Sequence, residues 1–224
     1  GSLHNIPSSW DFVGVDADKY HLPEAKLAVW EGFIFINPDP NAPPLEQFLG
    51  VLPEAFRNRG YSDRFTFAHV SKKVRANWKI LQEAFLESYH VIETHADSLP
   101  FTGDASTKYD IWESGDGHVS RLITPVAIPS PHLGDSASPL DAVEGVARFF
   151  EMAMPDVKAP KFDTAKGNPR HQLAQWRREI MGQMLGRDLS ERSDSEFVDT
   201  VQYYMFPNFF PWFGEGLPLV YQFL

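Results

Sequence analysis

Two histidines five positions apart, His90 and His95, are the residues of this chain best suited to chemistry. A carboxylate, Glu87, stands three positions before the first. Trp78, Ile80, Leu81, Phe85, Leu86 and Tyr89 surround them in the stretch 77–99, NWKILQEAFLESYHVIETHADSL. Neutral imidazole nitrogens in a dry apolar shell, with a carboxylate to orient one ring, are what a redox-active metal site requires. On a straight helix, five residues turn the second side chain roughly 140° from the first. The rings then converge only if the helix distorts or ends between them. Spacing alone favours the blander alternative, two unrelated histidines at a helix end. Glu87 lies one turn before His90 on nearly the same face. It reads equally as a surface glutamate or as an acceptor for a ring N–H of His90, which would fix its tautomer.

Other chemistries lack their residues. His90-x-x-Glu93-x-His95 approaches a zinc-protease motif but places the second histidine one position late, and the forward His-Glu-x-x-His does not occur. A zinc hydrolase is therefore disfavoured. There is no Gly-x-Ser-x-Gly elbow and no phosphate-cradling glycine loop. The absence of cysteine removes disulfides, thiolate zinc and cysteine-ligated iron–sulfur clusters from this chain. A net charge of -10 argues against nucleic acid and anionic membranes as partners. No apolar run is long enough to span a bilayer and no signal peptide opens the chain, so a cytoplasmic protein is expected.

The elements that must position the histidines follow from patterning. With 43% hydrophobic residues, including 18 Phe and 6 Trp, the 224-residue chain can bury a large core or line an apolar cavity. KLAVW (26–30) and FIFIN (33–37) read as strands broken by Glu31-Gly32, and PDPNAPP (38–44) as a linker. Residues 45–56 read as helical, with Pro53 as an interruption. Residues 65–73, FTFAHVSKK, alternate like a strand, with His69 on its surface. From Asn77, a good N-cap, Trp78, Leu81, Phe85, Tyr89 and Ile92 recur at helical spacing, which predicts one long amphipathic helix. A hairpin is expected over 109–112 and 118–123 about Ser114-Gly115-Asp116-Gly117. Residues 125–139 read as a loop, in which His132 has no assigned role. Helices are expected over 140–154, 168–185 and from Ser193, whose capping box is completed by Glu196. Two strand-like runs close the chain, 201–212 and 217–224, joined through Phe213-Gly214-Glu215-Gly216. Leu224 falls inside an apolar run, and both ends read as cut from a longer protein.

The segment NWKILQEAFLESYHVIETH resembles the iron-binding stretch of the Rieske-type non-haem iron oxygenases, the α subunits of aromatic-ring-hydroxylating dioxygenases and their monooxygenase relatives. Three further segments agree in order. WEGFIFIN (30–37) looks like the last strand of a Rieske domain, PLEQFLG (44–50) like the linker helix after it, and MFPNFFPW (205–212) like the central strand of the catalytic sheet. The likeness is weakest over 125–188.

The resemblance implies an α+β chain with two parts. Residues 1–43 would be the C-terminal remnant of the Rieske domain. Residues 44–224 would be a START-like helix-grip catalytic domain, an antiparallel sheet around a long helix, truncated at its C-terminus. It implies mononuclear Fe(II) held by His90 and His95 and by an Asp expected beyond Leu224; Asp97, Asp194 and Asp199 are not favoured as substitutes. It implies that Glu87 bridges to a neighbouring subunit's Rieske cluster, so that Glu87→Gln should keep iron and slow turnover. Tyr89 matches the tyrosine beside the first ligand. Ala84 stands where many members have Asn, and Ala84, Phe85, Val91, Leu99 and Asn208 match positions lining the substrate cavity. The implied function is hydroxylation of an aromatic or other hydrophobic substrate with O2. Electrons would come from NAD(P)H through a ferredoxin or flavin reductase and a [2Fe-2S] cluster held by the parent protein, in a homotrimer or α3β3 assembly. The alternative is a helix-grip binding module without redox activity.

Overall fold

Glu31 and Gly32, at φ 49° and 83°, close a hairpin between β1 (Lys26–Trp30) and β2 (Phe33–Asn37). Two successive positive φ angles are what a two-residue turn between twisted antiparallel strands needs. The structure is a computed structural model, and it describes residues 1–112, 118–214 and 218–224. The turn expected at Ser114-Gly115-Asp116-Gly117, and Glu215-Gly216 of the later junction, lie outside them.

The hairpin is two-faced, as period-2 alternation dictates. Trp30, Phe33 and Phe35 pack against Leu49, Leu52, Phe56 and Phe209. Leu27, Val29, Ile34 and Ile36 point the other way and are exposed. The predicted 45–56 helix is two short ones, α1 (Leu45–Phe48) and α2 (Leu52–Phe56). Pro53 sits in the first turn of α2, where its missing N–H costs nothing.

Two sequence expectations fail next. Residues 65–73 form no strand, and Phe65, Phe67 and Val70 are exposed. Alternation fits a pleat, but a strand also needs a partner ladder, and among the described residues none pairs here. The long helix from Asn77 is only α3 (Trp78–Glu83), followed after a break by α4 (Val91–Thr94). Asn77 does cap α3, its side chain accepting from the Lys79 N–H at 2.9 Å.

Beyond the histidines, β3 (Lys108–Trp112), β4 (Val119–Thr124) and β5 (Thr200–Met205) form an antiparallel sheet with β4 in the middle. A small pair, β6 (Phe210–Pro211) and β7 (Val220–Tyr221), follows β5. Between β4 and β5 run α5 (Pro139–Ala153), α6 (Pro169–Leu185) and α7 (Asp194–Val198). Val143, Val146, Ala147 and Phe150 recur at helical spacing on α5 and meet Leu173, Ala174, Trp176 and Met181 of α6 and Phe197 of α7. The Ser193–Glu196 capping box is formed. Mixed helices and antiparallel sheets make the chain α+β, and no helix of the described residues is long and apolar enough to cross a membrane.

One charge sits awkwardly in the α5–α6 packing. Arg177 lies 5.0 Å over the Phe150 ring, and among the described residues its guanidinium has no carboxylate partner. Burial lowers its pKa to about 10. A base depressed in the folded state destabilises the fold at every pH below about 10, and stability recovers as pH rises from there towards the ordinary arginine value. Replacing Arg177 by Met keeps the packing stem and removes that cost. The expected gain is about 1 kcal/mol, or roughly 2–4 °C in Tm for a chain of this size. A thermal melt of Arg177→Met at neutral pH checks it, and a lower Tm would refute it.

Candidate metal centre

The break between α3 and α4 precedes both histidines, and the end of α4 at His95 is what lets their rings approach. Phe85 and Leu86 leave α3 and turn into an aromatic cluster with Tyr204, Phe210 and Phe223. Phe85 lies 5.1 Å from both Tyr221 and Phe223. His90 then caps the start of α4 and His95 its end, where φ −126° and ψ 40° take the backbone off the helical path. His95 still lies five residues past His90, but its departure from helical φ re-aims its side chain, and the ring centroids stand 5.3 Å apart. Two imidazoles sharing one ion through nitrogens about 2.1 Å from it have centroids roughly 5 Å apart, so the separation suits a common metal ion.

Glu87 binds His90 twice. One carboxylate oxygen accepts the His90 backbone N–H at 3.0 Å and the other takes the ring Nδ1 in a short contact. Partial burial pushes the Glu87 carboxyl up, but the bonds and charge from His90 outweigh it and hold the carboxyl below its usual value. An ionised carboxylate only accepts. In the neutral ring the proton therefore sits on Nδ1, which leaves the Nε2 lone pair of His90 for a metal ion.

Among the described residues no dry shell encloses the pair. Tyr89 is 90% exposed, Ala84 and His95 are exposed, and His90 is half-buried. The helix break turns Phe85 and Leu86 inward and so leaves Tyr89 and His95 facing out. Among the other cavity candidates, Val91 is half-buried beside His90, and Leu99 is buried with its carbonyl accepting from the Ser130 N–H. Asn208 lines a groove of about 1060 Å³ under the β1–β2 hairpin, with Phe33, Phe35, Met205 and Phe209. None of Ala84, Phe85, Val91 or Leu99 borders that groove.

Among the described residues no third acidic, imidazole or thiol side chain joins the pair to make a complete ligand set. Asp194 is held by His171 at 2.5 Å and Arg178 at 2.8 Å, and Asp199 by Arg170 and Ser195. Asp97 is exposed in the turn after His95. His132 places its Nε2 3.6 Å from Asp104, whose other oxygen accepts from Ser130.

Sequence reasoning missed a feature beside the pair. Ser88, Thr107 and Thr124 bring their hydroxyls within 2.7–3.1 Å of one another. Nothing local in the sequence announces it, because its members are up to 36 positions apart.

A profile of the family described as ring hydroxylating alpha subunit (catalytic domain) matches residues 61–223. The chain is similar to the carnitine monooxygenase oxygenase subunit of Escherichia coli (strain K12), 30% identical over 103 residues, which are 42% of this chain and 26% of that protein. It is also similar to the large oxygenase component of the naphthalene 1,2-dioxygenase system of Pseudomonas putida, 30% identical over 142 residues, 60% of this chain and 28% of that protein. The aligned stretches cover little more than a quarter of either relative.

Proposed function

Because the chain belongs to the ring hydroxylating alpha subunit family, we propose that His90 and His95 are two of the protein ligands to a mononuclear Fe(II) in an oxygenase that hydroxylates a hydrophobic small molecule. The observation that carries the reading is the pair of rings 5.3 Å apart, one of them fixed through Nδ1 by Glu87. The donor set fits: neutral imidazoles suit iron, and a carboxylate behind one of them raises its basicity. When bound, the ion supplies the centre at which O2 is activated.

The chain's own residues have separable tasks. Glu87 selects the His90 tautomer and holds the ring. The α4 turn sets the distance between the rings. The cluster of Phe85, Tyr204, Phe210 and Phe223 seals the inner side of the break against water. Ala84, Phe85, Val91, Leu99 and Asn208 remain the proposed cavity lining, and the reading needs one further carboxylate ligand from the complete protein. In the same reading, residues 1–43 belong to a Rieske domain and residues 44–224 to a helix-grip catalytic domain. A Rieske [2Fe-2S] cluster would be held by the parent protein, and Glu87 would stand between it and a neighbouring subunit's iron in a cytoplasmic trimer supplied with electrons from NAD(P)H through a reductase. A binding module without redox activity is not favoured, since both relatives are named as components of oxygenases.

Metal analysis of the complete protein tests the proposal. Iron bound in stoichiometric amount is expected; zinc in its place, or no iron after anaerobic loading, would overturn it. The Glu87–His90 contact supports a second expectation for Glu87→Gln beside slowed turnover. A glutamine must keep its carbonyl oxygen for the His90 backbone N–H, so its NH2 faces Nδ1, donates there and moves the proton to Nε2, and iron affinity should fall about tenfold. An electron bridge alone would leave iron in place and slow only turnover, so iron content measured beside turnover separates the two roles.

A further inference from the structure

We infer that the hydroxyl ring of Ser88, Thr107 and Thr124 is the positioning device of the two-histidine turn, pinning it to the end of β4. The inference rests on the reading of His90 and His95 as metal ligands given above.

Ser88 lies between Glu87 and His90, inside the break that the helical pattern did not foresee. Its hydroxyl is 2.7 Å from Thr107 Oγ1 and 3.1 Å from Thr124 Oγ1, and the two threonines are 3.0 Å apart. Ser88 and Thr124 are 6% and 7% exposed. Each hydroxyl has one proton to give and lone pairs to accept, so three of them close a cycle in which every donor is used and no water is needed. Such rings strengthen cooperatively in a buried setting. Thr124 ends β4, and Thr107 stands one step beyond the Lys108–Ile123 pair, opposite Thr124. The ring thus joins the turn to two strands at once.

The far side of the turn is tied to the same strand's continuation. The Ser130 N–H donates to the Leu99 carbonyl, Gly103 N–H to Pro125, and Ala127 N–H to Phe101, all at 2.8 Å. His90 and His95 therefore sit between two anchors on one chain segment, 124–130. The downstream anchor is backbone and survives most substitutions. The upstream anchor is made of side chains, and among the described residues no other side-chain hydrogen bond joins residues 85–95 to β3 or β4. Released there, Glu87 and His90 move relative to His95 while the fold stays.

Thr124→Val removes the hydroxyl and keeps the shape; Thr124→Ser keeps the hydroxyl and loses the methyl. In the complete protein, Thr124→Val should weaken Fe(II) retention about tenfold and Thr124→Ser by no more than about twofold, the range expected for groups that hold a ligand in place. A readout without metal accompanies this. The His90 Nδ1 proton, held by Glu87, should give a sharp downfield NMR signal in the wild type and in Thr124→Ser, and be broadened in Thr124→Val. Unchanged iron retention and an unchanged proton signal in Thr124→Val would overturn the inference, provided His90→Ala loses its iron. If His90→Ala keeps iron, the metal-ligand reading itself fails and the proton signal alone decides whether the ring positions His90. Should Thr124→Val not fold, Ser88→Ala is read in the same two ways.

Discussion

Replacing His95 by alanine is expected to leave the complete protein folded and without iron, and replacing His90 to do the same. His95 is exposed at the end of α4, so its ring contributes little packing and its loss should move Tm by less than about 1 °C. The effect on iron is of another size. Changing a group that merely orients a ligand costs roughly 10–100-fold in metal affinity, and removing a ligand outright must cost more. Iron per subunit, measured after gel filtration in a mild chelator, should fall to background in both variants. Wild-type iron content in either one would remove that residue from the site. The two need not be equal in other respects. His90→Ala also takes from Glu87 its ring partner, while the backbone N–H at position 90 stays, so it should lower thermal stability more than His95→Ala does.

The second large effect lies away from the histidines. Asp199 is nearly buried, and its carboxylate accepts from Ser195 Oγ at 2.6 Å, from the Val126 N–H at 3.1 Å and from the Arg170 guanidinium. Arg170 also donates to the Val126 carbonyl at 2.9 Å. One carboxylate thereby joins the end of β4 to α6 and α7. In Asp199→Ala a mostly buried cation loses its counter-charge and a backbone N–H loses its acceptor. The expected loss is about 3 kcal/mol, or roughly 6–12 °C in Tm. Urea unfolding of wild type and variant gives the number, and a loss under about 1 kcal/mol would contradict the account. A double substitution with Arg170→Met should recover part of the loss, because it removes the stranded charge.

Elements whose reasons are local were legible in the sequence. Asn77 and Ser193 cap helices where their side chains reach the first turn. The apolar stripe of α5 packs as its spacing requires, and the β1–β2 hairpin closes at Glu31-Gly32. Elements whose reasons are distant were not legible. Nothing in EAFLES stops a helix: there is no glycine or proline, and Trp78, Leu81, Phe85 and Ile92 keep its rhythm. The helix stops because Phe85 is drawn to Phe223 and Ser88 to Thr124, partners more than 30 positions away. Residues 65–73 show the converse, a strand pattern without a partner ladder. The candidate site lay on the same boundary. Spacing argued against convergence of His90 and His95, and only the resemblance of the whole segment argued for it. Their meeting follows from the end of α4 at His95, which neither local propensity nor periodicity encodes.

The placement of the two rings at opposite ends of a single helical turn has an evolutionary corollary. One inserted residue in α4 would swing His95 by about 100° and carry it about 1.5 Å along the axis. One deleted residue would do as much in the other sense. Substitution inside the turn is comparatively free, since Ile92, Glu93 and Thr94 need only remain helical. Its length is not free. Variation in this stretch should therefore proceed by replacement alone, while insertions and deletions accumulate in segments that carry neither anchor, such as residues 154–168 between α5 and α6.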